Sequence, residues 1–72
     1  MKSDQIIKLV LTELYRATKL YGPFPSKMHG LAVIQEEVDE LWDAVRRKEG
    51  AQGECVQVAA MAVRFLMDCC DA

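Results

Sequence analysis

What this chain lacks narrows its reading first. Cysteine is scarce and cannot pair evenly: Cys55, Cys69 and Cys70 are odd in number, two are adjacent, and no CxxC or Cys/His ligand spacing occurs. A disulfide framework and a structural zinc site are therefore not expected, and the thiols read as reduced and mostly packed. Positive charge is not in excess. The net charge is −2, which offers no general attraction to nucleic acid. No long apolar run is present, since the longest nearly apolar stretch, Val58 to Val63, is far too short to span a bilayer. Met1 to Gln5 is polar and the next apolar residues are broken by Lys8, Glu13 and Arg16, which is not the pattern of a signal peptide. A soluble, cytoplasmic protein with no membrane or nucleic-acid partner is expected.

Strand signals are also almost absent, and helical periodicity fills their place. A first helix is expected from about Asp4 to Leu20, with Ser3 as its N-cap and Ile7, Val10, Leu14, Ala17 and Tyr21 as its apolar stripe. Gly22 and Pro23 stop it, and "GPFPSK" is the one clear loop. A second helix starts near Ser26 to His29 and runs to about Lys48, with Leu31, Ile34, Val38, Leu41 and Val45 as its stripe. Arg46, Arg47 and Lys48 suit its C-terminal dipole. After "EGAQG", a third helix is expected from about Glu54 to Cys70. Its polar stripe is narrow, at positions 54, 57, 61, 64 and 68, and nearly every other residue is apolar or small. A helix apolar nearly all round must be covered nearly all round. Residues 1–72 thus read as a single all-α domain, a short bundle of about three helices completed by homo-oligomerisation, as a dimer or tetramer.

The segment "HGLAVIQEEVDELWDAV" gathers five carboxylates within eight positions: Glu36, Glu37, Asp39, Glu40 and Asp43. Like charges at i,i+4 cost roughly 0.2–0.5 kcal/mol per pair, and Asp43–Arg47 is the one compensating pair. The run supports two readings, a solvated acidic face or a cation site. At ~100° per residue, Glu37 falls at the edge of the apolar stripe with Glu40 on the same flank, turned toward a neighbouring helix. Crowded carboxylate oxygens at a helix edge are what Mg2+ or Mn2+ requires. The polar stripe of the third helix must meet polar partners, and Glu54 and Gln57 facing Glu37 and Glu40 would complete a ring of oxygen ligands.

Glu37-Val-Asp-Glu40 and Glu54-Cys-Val-Gln57, separated by 13 residues, resemble the paired ExxE and ExxD motifs of MazG-like all-α nucleotide pyrophosphohydrolases. The surrounding "HGLAVIQEEVDELWDAV" and "VAAMAVRFL" are similar to that family too, over about Phe24 to Asp68. The resemblance implies Mg2+ (or Mn2+) held by Glu37, Glu40, Glu54 and Gln57. It implies cleavage of a nucleoside triphosphate or related nucleotide between the α and β phosphates, giving the monophosphate and pyrophosphate. Glu37 and its neighbour Glu36 would be catalytic, with Glu36 orienting or deprotonating a water. Arg16, Lys19 and Lys27 would balance the phosphates. Two departures stand out: Gln57 replaces the acid of the second motif, and the family's further helix has no counterpart. The alternative is a catalytically inactive helical oligomer, acting as a nucleotide-binding or protein-interaction module.

Other residues have a bland reading beside a functional one. His29 is either helix-end surface or a contact to phosphate or base. Trp42 is expected in core or subunit packing, while Tyr21 and Phe24 form a lid or flank a base. Met61 fills space beside the site. Arg64 either pairs with an acid of a partner subunit or reaches substrate phosphate.

Overall fold

The computed structural model describes residues 1–70 and folds them into three helices with no strand among them: α1, Ser3–Leu20; α2, Lys27–Arg47; and α3, Ala51–Cys69. The helix count and class follow the expectation, and the boundaries move by a turn at most. α1 starts one residue early, because Lys2 rather than Ser3 is its N-cap and its backbone N–H donates to Gln5 Oε1 at 3.1 Å. Ser26 caps α2 by accepting from the His29 N–H, satisfying one of the donors that a helix start leaves free. α2 ends on Lys48 in the left-handed region (φ 62°), and Gly50 follows at φ 78°, so the chain reverses into α3 within three residues. α3 begins three residues before the expected Glu54.

α3 is the central element. It packs against both α1 and α2, while the backbones of α1 and α2 nowhere come within 8 Å of each other. Small residues on α3 let both neighbours approach, Ala60 being fully buried against Ala17, Phe24 and Met61. α2 makes its own close approach through Gly30, where a Cβ would stand 2.8 Å from the Phe65 ring and 3.0 Å from the Phe24 ring. The loop between α1 and α2 is tied to the C-terminal half of α3 at two points. Arg64 Nη2 donates to the Gly22 carbonyl at 2.7 Å, and the Phe24 N–H donates to Asp68 Oδ2 at 3.1 Å.

The expected stripes are corrected in places. On α1, Leu14 and Ala17 are buried and Val10 partly so, but Ile7 and Tyr21 lie largely in solvent. On α2 the face against α3 is Gly30, Val33, Ile34, Glu37, Leu41 and Ala44. Leu31, Val38 and Val45 point outward instead, as does Trp42, which is 65% exposed and so takes no part in this chain's core. The physical cause is that α2 carries apolar residues over more than one face, and a single stripe drawn through them averages two directions. The expected Asp43–Arg47 pair is replaced by a loose Asp43–Arg46 contact at 3.9 Å. Only Cys69 is partly buried, near the Ser26 carbonyl, whereas Cys55 and Cys70 are exposed rather than packed. Among the described residues no helix is long and apolar enough to cross a membrane.

Candidate functional site

Because α1 and α2 both lean on α3 with their backbones held apart, a cavity of about 460 Å³ opens between them against α3. That volume is in the range of small-molecule sites. One half of it is acidic. Glu37 and Glu40 come from successive turns of α2, and Glu54 comes from the first turn of α3. Their three carboxylates each bring an oxygen within 4.8 Å of the other two. The turn at Lys48–Gly50 folds α3 back along α2 and so brings these carboxylates opposite one another. All three belong to one chain.

The electrostatics of this half are unfavourable as it stands. Burial pushes the Glu37 carboxyl above its ordinary pKa, and the charges of Glu40 and Glu54 push it further. Glu54 is raised as well, first by burial and then by Glu40, with Arg47 opposing weakly. Glu37 Oε2 and Glu54 Oε2 are shielded from solvent and have no hydrogen-bond partner. Shielded acceptors without donors, set against other acceptors, are costly unless a donor or a cation stands among them.

The other half carries the positive and aromatic groups. Arg16 on α1 reaches the rim, where its Nε and Nη2 donate to Glu13 at 2.8 and 2.6 Å. That guanidinium holds Glu13 below the ordinary carboxylate pKa, and the Gln57 amide adds a smaller contribution in the same direction. Arg64 is buried at 3% exposure, stacked 4.4 Å from the Phe24 ring centroid, and its Nη1 lies 3.6 Å from Met61 Sδ. The His29 ring tilts over Phe24 at 6.2 Å. Met61 and Val33 also line the cavity.

Set against the residues picked from the sequence, the structure gathers Glu37, Glu40, Glu54, Gln57, Arg16, His29 and Arg64 around one cavity. It does not bring Glu36, Lys19 or Lys27 there. All three are exposed and none lines the cavity, Glu36 because it sits one position from Glu37 and thus ~100° round the helix. Arg64 has a role in this chain's own loop, through Gly22 and Phe24, rather than a free charge to offer outward. Glu13 was missed. Its spacing from Val10 and Ala17 puts it on the buried face of α1, the one signal in the sequence that could have found it. No protein-family model matches the chain, and no curated protein or solved structure matches it significantly.

Proposed function

We infer that this cavity binds a divalent cation together with a nucleotide, and that the chain is a Mg2+-dependent nucleotide pyrophosphohydrolase of MazG-like type. The observation that carries the reading is the meeting of Glu37, Glu40 and Glu54, with two oxygens shielded and unpartnered, in a cavity also lined by Arg16, Tyr21, Phe24 and His29. The donor set suits a hard cation. Opposite oxygen ligands stand about 4.1 Å apart on Mg2+ and about 4.6–5.2 Å apart on Ca2+, so three oxygens within 4.8 Å of one another suit the larger ion as they stand and would draw in slightly around Mg2+. Glu37, Glu40 and Glu54 would hold the ion, with the Gln57 carbonyl oxygen as a neutral fourth ligand. When bound, such an ion offsets phosphate charge and renders a water nucleophilic at neutral pH.

This chain's own groups would do the rest. Arg16, half-exposed at the rim, is placed to exchange part of its contact with Glu13 for a phosphate oxygen. Phe24, His29 and Tyr21 offer aromatic surface at the opposite end for a base. Met61 and Val33 add apolar surface to the same cavity. The overall reaction consumes one water and splits the α–β anhydride to a monophosphate and pyrophosphate.

The same reading includes a homo-oligomer. Among the described residues fourteen large apolar side chains are between 40% and 74% exposed, and Leu31, Val38 and Val45 recur at seven-residue spacing beside Trp42 on the outer face of α2. A seam of that spacing suits packing against another helix. The test is pyrophosphate release from a panel of canonical and modified NTPs and dNTPs with Mg2+ or Mn2+, on material sized by sedimentation velocity. Release that disappears in Glu37→Gln supports the enzyme. Gln57, which lacks the motif's charge, favours a second reading as a non-catalytic nucleotide-binding or interaction module, and cation-dependent stabilisation without release would favour it over the first.

A further inference from the structure

Among the described residues Arg64 is the one buried charged side chain, at 3% exposure, and no carboxylate stands within ion-pair distance of it. Its hydrogen bonds are incomplete as well. Nη2 donates to the Gly22 carbonyl at 2.7 Å, and the Phe24 ring covers one face of the guanidinium, 4.4 Å away. Nη1 has the Met61 sulfur at 3.6 Å, and a thioether is a weak acceptor. Nε is shielded from solvent and has no partner. A guanidinium buried on these terms is costly, because its donors have lost water for little in exchange. A good acceptor brought to it is bound the more strongly for that.

The place of Arg64 in the cavity decides which part of a nucleotide it meets. It lines the same cavity as Glu37, Glu40 and Glu54, yet it stands roughly 15 Å along α3 from Glu54 at about 1.5 Å per residue. Phe24 lies against it, and the His29 ring lies beside Phe24. A phosphate chain seated at the carboxylates would leave the base, not the phosphates, for this end. A guanidinium can only donate hydrogen bonds. The base edge that suits it carries an exocyclic oxygen, as guanine, hypoxanthine, uracil and thymine do. Adenine and cytosine set an NH2 at that place and would bring donor against donor.

We propose that Arg64 selects the base: an exocyclic oxygen accepts from its guanidinium in place of the Met61 sulfur, so that the site takes oxo-base nucleotides in preference to amino-base ones. The proposal rests on the reading of this cavity as a nucleotide site. Met61 is suited to giving way, since an unbranched thioether adapts its packing readily. The Gly22 carbonyl and the Phe24 ring hold the guanidinium in place as it does so.

The test is binding of nucleoside monophosphates in matched pairs, inosine against adenosine and uridine against cytidine, by isothermal titration calorimetry on the whole chain in millimolar Mg2+. Within each pair the exocyclic oxygen is exchanged for an amino group. The inosine and uridine nucleotides should bind about 10-fold to 100-fold more tightly, the usual worth of a hydrogen bond to a charged group. In Arg64→Gln, whose amide can donate to Gly22 and also accept, the preference should disappear through weaker binding of those two. Should Arg64→Gln fail to fold by circular dichroism, Arg64→Lys replaces it, keeping the charge without the fork, and the preference should shrink. Equal binding within each pair by the unmodified chain, or tighter binding of the amino members, overturns the proposal and leaves the nucleotide site standing. A variant that loses affinity equally for all four also overturns it, because a contact to phosphate would do that. Absence of binding by all four overturns both readings. An oxo preference in a chain that releases no pyrophosphate supports base selection and overturns the hydrolase.

Discussion

Replacing Glu37 by glutamine should make the cation-free protein more stable, although it removes a group at the centre of the proposed site. Glu37 faces two carboxylates, Glu40 and Glu54, with oxygens within 4.8 Å. At that separation two unit charges repel by about 0.9 kcal/mol in a water-like dielectric and by about 3.5 kcal/mol at an effective constant of 20. Glu40 is exposed, so solvent screening holds its share near the lower figure. Glutamine keeps the shape, removes both repulsions and can donate to either neighbour. A gain of about 1–2 kcal/mol follows, which for a domain of this size raises the melting temperature by at least about 4 °C. The assay is thermal unfolding by circular dichroism in chelator, then in millimolar Mg2+. The unmodified chain should gain stability from Mg2+, since a ligand that binds only the folded state must stabilise it, and the variant should gain almost none. A variant less stable than the parent in chelator would refute the account of crowded, uncompensated charge.

Two other expectations concern pH and packing. Glu37 and Glu54 titrate above their ordinary values in the folded chain. The stability they contribute is fully present below the unfolded carboxylate pKa and lost as pH rises through their raised values. Cation-free melting temperature should therefore climb as pH falls from neutral toward the ordinary glutamate range, and millimolar Mg2+ should flatten that slope. Glu13, lowered by Arg16, acts in the opposite sense and only at lower pH, where its contribution fades as pH drops through its depressed value. Gly30→Ala should lower stability in urea by about 1 kcal/mol. Overpacking against Phe65 and Phe24 costs about 1–3 kcal/mol, and the better helix propensity of alanine returns about 1 kcal/mol of it. A rise in stability would show that those rings yield freely.

Much of this arrangement could be read from local pattern alone, and the failures have a common cause. Three helices, their loops and the pairing of Glu37 and Glu40 with Glu54 follow from periodicity and motif spacing, because short turns force neighbours in sequence to be neighbours in space. The face of α2 turned to α3 was misjudged because Leu31, Val38 and Val45 are apolar yet lie outside this chain's core, and pattern alone cannot tell a buried apolar residue from an exposed one. Glu37 consequently looked like an edge residue, yet it sits on the packed face between Val33 and Ala44. Glu36 looked functional by adjacency, which on a helix means pointing elsewhere. Arg16 was expected beside phosphate and Glu13 was not singled out, and only the packing of α1 over α3 shows that both line the same cavity. Arg64 and Asp68 gave no hint in sequence that they bind the loop at Gly22 and Phe24, contacts spanning more than forty residues.

The two outer helices meet only through the middle one and the loop that joins them. The groups that would grip an ion reside on α2 and α3, while the cation that would meet a phosphate, Arg16, sits on α1. Substitutions along α1 could thus alter which molecule is admitted while the ion's ligands stay where they are. Phosphate contact and ion binding would then be separable by substitution, one on the outer helix and the other behind it.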